Sequence, residues 1–197
     1  MSINIQNIDN GFRFLFQFSK LDINNFSYWI RINTNFIATQ QELLDLPEFR
    51  RFGGTTGYIE GWGLYAESLG QELGVYTDHY QYYGSLAAEL WRAIRLVVDT
   101  GLHQKGWSRE KVLDYMYTNA PVTEARAVSE TERFMAIPAQ ALAYKVGQLK
   151  IRGLRNKAEQ TLGNDFDVRA FHKQVIGSGA LPLTILETKI DRWIKMQ

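Results

Sequence analysis

The sequence predicts an all-α fold. Three observations carry that expectation. From residue 37 onward apolar residues recur at helical spacing, residues that favour helix starts and stops punctuate the segments, and no clear strand pattern appears. Upstream, "FRFLFQF" alternates as an extended segment would. "ATQQELLDLPEFRRF" carries a helix that Pro47 ends or bends. "IEGWGLYAESLGQEL" follows, with Gly74 as its expected C-cap. "GSLAAELWRAIRLVVDTGLH" sets Leu86, Leu90, Ile94 and Val97 on one stripe. "SREKVLDYMYTN" starts at Ser108 and stops before Pro121, and "TEARAVSETERFM" starts at Thr123. "PAQALAYKVGQLKIRGLRNKAEQTLG" opens with Pro138 in a first turn and ends at Gly163. "DVRAFHKQVIGSG" and "LPLTILETKIDRWIKM" complete the chain, the last with Ile185, Ile190, Trp193 and Ile194 on a broad apolar face.

Composition narrows the function classes. A chain of 197 residues is long enough for one domain with a real core and short for two. The net charge of +1 gives no reason to expect nucleic acid or an anionic membrane surface as partner. With no cysteine, disulfides, iron–sulfur clusters, thiolate nucleophiles and cysteine-based zinc sites are excluded. No apolar run reaches the roughly 18 residues of a membrane-spanning helix, and the N-terminus lacks the pattern of a signal peptide. Cytoplasm is the default expectation. Residues 1–36 hold 7 of the 10 asparagines and 6 of the 11 phenylalanines but no alanine, glutamate or proline. That break separates an atypical N-terminal segment, 1–36, from a helical part, 37–197.

The residues that could carry chemistry are few. The three histidines, His79, His103 and His172, are too far apart in sequence for a helical zinc motif, which needs two about one turn apart. There is no Gly-x-Ser-x-Gly elbow, and "FGGTTG" lacks the Lys-Ser or Lys-Thr of a phosphate loop. Glu60 stands near the front of its helix, followed by Gly-Trp-Gly. By itself it reads as a carboxylate at the positive helix end, worth roughly 0.3–1 kcal/mol, or as a metal ligand. Glu67, seven residues on, shares its face. Arg92, Arg95 and Asp99 lie at i, i+3 and i+7 of an otherwise apolar helix, where such charges either pair internally or bind a carboxylate.

Five stretches carry a resemblance: "ATQQELLDLPEFRRF", "YIEGWGLYAESLGQELGVYTD", "GSLAAELWRAIRLVVDTGLHQKGWSREKVLDYM", "SETERFMAIPAQALAYKVGQLKIRGLR" and "FDVRAFHKQVIGSGALPLTILETKIDRWI". In this order they resemble the C-terminal half of a bacterial family known as domain of unknown function 885, grouped with zincin-like metallopeptidases of the gluzincin type. The resemblance spans about residues 37–196. It implies the C-terminal helical part of a zincin-like fold, zinc as the family's cofactor, and peptide-bond hydrolysis as the parent reaction. Carried over, Glu60 is the third zinc ligand and Glu67 orients a ligand or the bound water. His103 or Tyr144 steadies the oxyanion. Apart from the resemblance, Arg92, Arg95 and Arg133 either bind substrate or lock helices together.

The family's metal motif, a His-Glu followed after a Pro-Gly by a His-His pair, falls where this chain has "SYWIRINTN", and no histidine precedes His79. Two of three expected ligands and the general base are therefore missing. The chain alone is expected to be inactive and to hold zinc poorly, as a frameshifted or truncated gene product would. The alternatives are a non-catalytic helical module that binds a peptide or partner, and one half of a split metallopeptidase. Exposed apolar helix faces would favour self-association. Relatives look exported, unlike this N-terminus. Lesser departures are His79 for the family's proline, Phe134 for its tyrosine, and Ala139 for its glycine.

Overall fold

The computed structural model describes residues 46–74, 76 and 78–197. The N-terminal segment 1–36, its expected extended stretch and the helix upstream of Pro47 lie outside the described residues. Among these, eight α-helices and two short 3-10 turns occur and no strand, so the protein is all-α. We number the helices α1 (Glu48–Phe52), α2 (Thr56–Ser68), α3 (His79–Lys105), α4 (Arg109–Asn119), α5 (Glu124–Ala136), α6 (Ala143–Leu162), α7 (Val168–Ile176) and α8 (Leu183–Ile194).

Local chemistry explains most helix limits. Asp78 accepts from Gln81 N at 2.9 Å and starts α3 one turn earlier than the apolar pattern alone suggests. Ser108 caps α4 by accepting from Lys111 N at 3.3 Å, as its position predicted. Thr123 stands at the N-cap of α5 without making a side-chain cap bond. Pro47 is not the end of a described helix but the N-cap of α1. Two further ends differ from expectation. Helix α2 stops at Ser68 rather than near Gly74, where the Glu67 carbonyl accepts from Gly70 N at 3.1 Å and from Tyr76 Oη at 3.1 Å. Helix α6 starts at Ala143, not Pro138, because Ala139 adopts φ +67° and breaks the helical path.

Two apolar cores result. One joins Tyr58, Trp62 and Tyr65 of α2 to Ile151, Leu154 and Ala158 of α6, Phe171 and Val175 of α7, and Leu186, Ile190 and Trp193 of α8. Two buried phenols find partners there: Tyr58 Oη donates to Val175 O at 2.5 Å, and Tyr65 Oη hydrogen-bonds His172 Nε2 at 2.8 Å. The other joins Trp91, Ile94 and Val98 of α3 to Val112 and Met116 of α4 and to Ala127 and Phe134 of α5. The stripes predicted for α3 and α8 are only partly buried. Ile94 is in the core, but Leu86 and Leu90 are each 45% exposed and Val97 is 38% exposed. On α8, Ile190, Trp193 and Ile194 are buried while Ile185 is 51% exposed.

The cores are linked where α2, α3, α5 and α6 converge. Helices α2 and α6 cross without side chains between them: a Cβ on Gly61 would stand 2.3 Å from Gly147 Cα, and one on Gly147 would stand 1.9 Å from Gly57 O. Only glycine at both positions permits this approach. Lys145 of α6 adds an ion pair with Glu89 of α3 at 2.6 Å. The crossing fixes the height of Glu60, next to Gly61, relative to Tyr144, three residues before Gly147.

Candidate functional site

Glu60, Tyr144, Arg92, Arg95 and Arg133 meet at this convergence. Burial raises the Glu60 pKa; the hydrogen bond with Tyr144 and the fields of Arg92, Arg95 and Arg133 work against the rise without cancelling it. Glu60 Oε2 is buried and has no hydrogen-bond partner among the described residues. A carboxylate oxygen left in this way is costly unless something else meets it. Burial also raises the Tyr144 pKa, and the neighbouring Glu60 adds to it, so the phenol stays protonated and able to donate.

The arginines are held by acids. Arg95 pairs with Glu130 at 2.5 Å, with its guanidinium 5.4 Å from the centre of the Tyr144 ring. Arg133 donates through Nε to Glu130 at 3.0 Å and through Nη1 to Gln140 at 3.0 Å, and Gln140 Nε2 reaches Tyr144 Oη at 3.4 Å. Burial works against ionised Glu130, but Arg133 and Arg95 outweigh it and hold its pKa below the usual range. Arg92 lies 3.7 Å from Glu67. Burial pushes the Glu67 carboxyl up to about 7, with Arg92 opposing and Glu89 reinforcing the shift.

The sequence-derived candidates are therefore brought together in part. Glu60, Tyr144, Arg92, Arg95 and Arg133 share one site, and Glu67 adjoins it through Arg92. His103 stands apart: its Nε2 donates to Phe134 O at 2.9 Å, tying the end of α3 to the end of α5. Asp99, 2% exposed, accepts the Ala139 amide with both carboxylate oxygens at 3.2 Å. It holds the left-handed Ala139 that turns the chain into α6. Gly61, the first glycine of the Gly-Trp-Gly after Glu60, lets α6 approach α2.

Sequence reasoning missed Arg126, Ser129 and Glu130. With Arg133 they lie at i, i+3, i+4 and i+7 of α5, a helical face that could have been read, but without the fold nothing marks it as facing a cleft. That cleft, of about 560 Å³, is lined by Trp91, Arg92, Arg95, Arg126, Glu130 and Tyr144 among others. A second hollow of about 500 Å³ is lined by Gly57, Pro138, Ala139, Gln140, Leu142 and Val146 among others.

Among the described residues no group of three or more His, Cys, Asp or Glu could hold a metal ion. Glu60 supplies one ligand where protein zinc sites use at least three, so these residues alone do not fit zinc. Among the described residues, too, no helix is long and apolar enough to cross a membrane.

Comparison with known proteins adds the following. The family described as "Bacterial protein of unknown function (DUF885)" matches residues 35–190. A crystal structure described as a "putative lipoprotein" from Colwellia psychrerythraea is similar at 44% identity and a TM-score of 0.79, over 82% of this chain and 28% of that one. This chain thus spans less than a third of that protein's length. No curated protein matches the chain. The lipoprotein description gives the cytoplasmic default no support.

Proposed function

The chain belongs to the DUF885 family of bacterial proteins, and we propose that it forms the C-terminal half of a peptide-binding cleft in a zinc metallopeptidase-like protein. One observation carries this reading. Glu60 is a buried carboxylate with an unmet oxygen, held beside a protonated phenol and three guanidiniums. A purely structural carboxylate in that setting would close its bonds with one of those neighbours. An oxygen left open on a rigid helix suits a group supplied from outside the described residues.

In this reading Glu60 is the ligand position, and zinc, when bound with histidines from a His-Glu segment, would supply a Lewis acid. What this chain's own residues do is more limited. Tyr144 donates toward a developing negative charge, Gln140 and Arg133 orient the phenol, and Arg92 and Arg95 set a positive field over the site. Glu67 acts through Arg92 rather than on substrate. His103 positions α5 in place of acting on an oxyanion. The chain alone is inactive, because the general base and two ligands are missing from its sequence. Peptide mixtures incubated with the purified chain and zinc, with and without chelator, provide the test. No cleavage is expected, and cleavage that chelator abolishes would overturn the inactivity.

The arginine-lined cleft favours a second reading, a non-catalytic module that binds a peptide. The two differ in whether Glu60 ever meets a metal. The Colwellia protein's lipoprotein description supports export of this protein as well. Fractionation of cells producing it, with the chain wholly cytosolic, would count against export.

A further inference from the structure

The cleft lined by Trp91, Arg92, Arg95, Arg126, Glu130 and Arg133 carries four guanidiniums against one carboxylate. Three of the four are engaged within the protein. Arg95 and Arg133 share Glu130, and Arg92 lies against Glu67. Arg126 differs. Its guanidinium carbon lies over the Trp91 ring, 4.8 Å from the ring centre, and among the described residues no carboxylate lies within ion-pair distance of it. The cation–π contact favours that position and leaves N–H donors for another molecule. Two further donors, Trp91 Nε1 and Arg95 Nε, are buried with no acceptor among the described residues. Buried donors call for an acceptor. The volume of about 560 Å³ suits a short peptide segment.

We propose that this cleft binds an acidic side chain of a peptide, with Arg126 as the residue that recognises the carboxylate and Trp91 as the platform that holds Arg126. A planar fork matches a carboxylate in two parallel hydrogen bonds, which gives specificity over a neutral amide of the same shape. The engaged arginines act at longer range, keeping the cleft positive. The proposal rests on the peptide-binding part of the reading above and needs nothing of its metal.

The test is calorimetric titration of the whole chain, in chelator and at low salt, with acetylated and amidated Ala-Glu-Ala and with its Ala-Gln-Ala counterpart. The glutamate peptide is expected to bind about tenfold or more tightly than the glutamine peptide. Arg126→Gln, a change at an exposed residue, removes that preference. Arg169→Gln, on an exposed position of α7, retains it. Because the titration is run in chelator, loss of zinc binding and loss of carboxylate binding are separable outcomes. Equal binding of the two peptides, no binding of either, or an unchanged preference in Arg126→Gln would overturn the proposal. Displacement of the peptide by inorganic phosphate at similar concentrations would replace the carboxylate assignment with a general anion site.

Discussion

Gly61 and Gly147 meet backbone to backbone, and this contact sets the position of Glu60 against Tyr144. A Cβ on Gly147 would stand 1.9 Å from Gly57 O, a main-chain atom that no rotamer change can move. Gly147→Ala is therefore expected to cost about 2–3 kcal/mol through forced separation of α2 and α6. In a domain of this size that lowers Tm by roughly 4–12 °C. Thermal melting followed by circular dichroism checks it; a Tm within a degree of the parent would mean the helices part freely.

Ala139 sits at φ +67°, a conformation that glycine adopts without strain. Asp99 fixes it there through both carboxylate oxygens. Ala139→Gly should relieve a left-handed penalty of about 1–2 kcal/mol, partly offset by the greater freedom of glycine in the unfolded chain. The expected result is a higher Tm. A lower Tm would show that Ala139 is unstrained. The sequence already hinted at this position, where the family resemblance puts glycine.

Stability should depend on pH through two buried groups of opposite sign. Burial lowers the His172 pKa to about 4, so its folded value lies below its unfolded value of about 6.5. Its contribution is complete above pH 6.5 and is lost as pH falls toward 4. The scale is of the order of 3 kcal/mol. Glu67, pushed up to about 7, behaves in reverse: its contribution is present below about pH 4.5 and is lost as pH rises through 7. The two partly offset each other in the parent. Denaturant melts from pH 7.5 to 4 should show His172→Gln losing less stability on acidification than the parent, and Glu67→Gln losing more. Parallel curves for all three would rule out both assignments.

Leu86 and Leu90 are exposed on α3, together with Tyr83 and Val97. We propose that this face drives self-association. Light scattering should show a species larger than a monomer that Leu86→Lys with Leu90→Lys converts to a monomer. A monomeric parent would sink the idea.

The sequence made the helices legible because periodicity and caps are local. Ser108 and the punctuation by Pro121 placed α4 and α5 closely. It could not show that α6 begins at Ala143, because the cause is Asp99, forty residues upstream. Nor could it show which side of α3 is buried: Ile94, Leu86 and Leu90 look alike in a pattern, and only the neighbouring helices distinguish them. For the site, the family resemblance singled out Glu60 and Tyr144, and the structure brings them together. His103 looked equally suitable in sequence but hydrogen-bonds Phe134 O. Arg126 gave no signal, because its distinction is the ring of Trp91 beneath it, a contact between two helices.

The central claim is that Glu60 is one ligand of a zinc site whose other ligands lie in a His-Glu segment. The most direct measurement is zinc affinity of the purified chain, alone and mixed with the upstream part of a family member that carries that segment, for the parent and for Glu60→Gln. The account predicts weak binding by the chain alone, tighter binding in the mixture than by either part, and loss of that gain in Glu60→Gln. A gain that survives Glu60→Gln, or no gain in a mixture shown to form a complex, would contradict it.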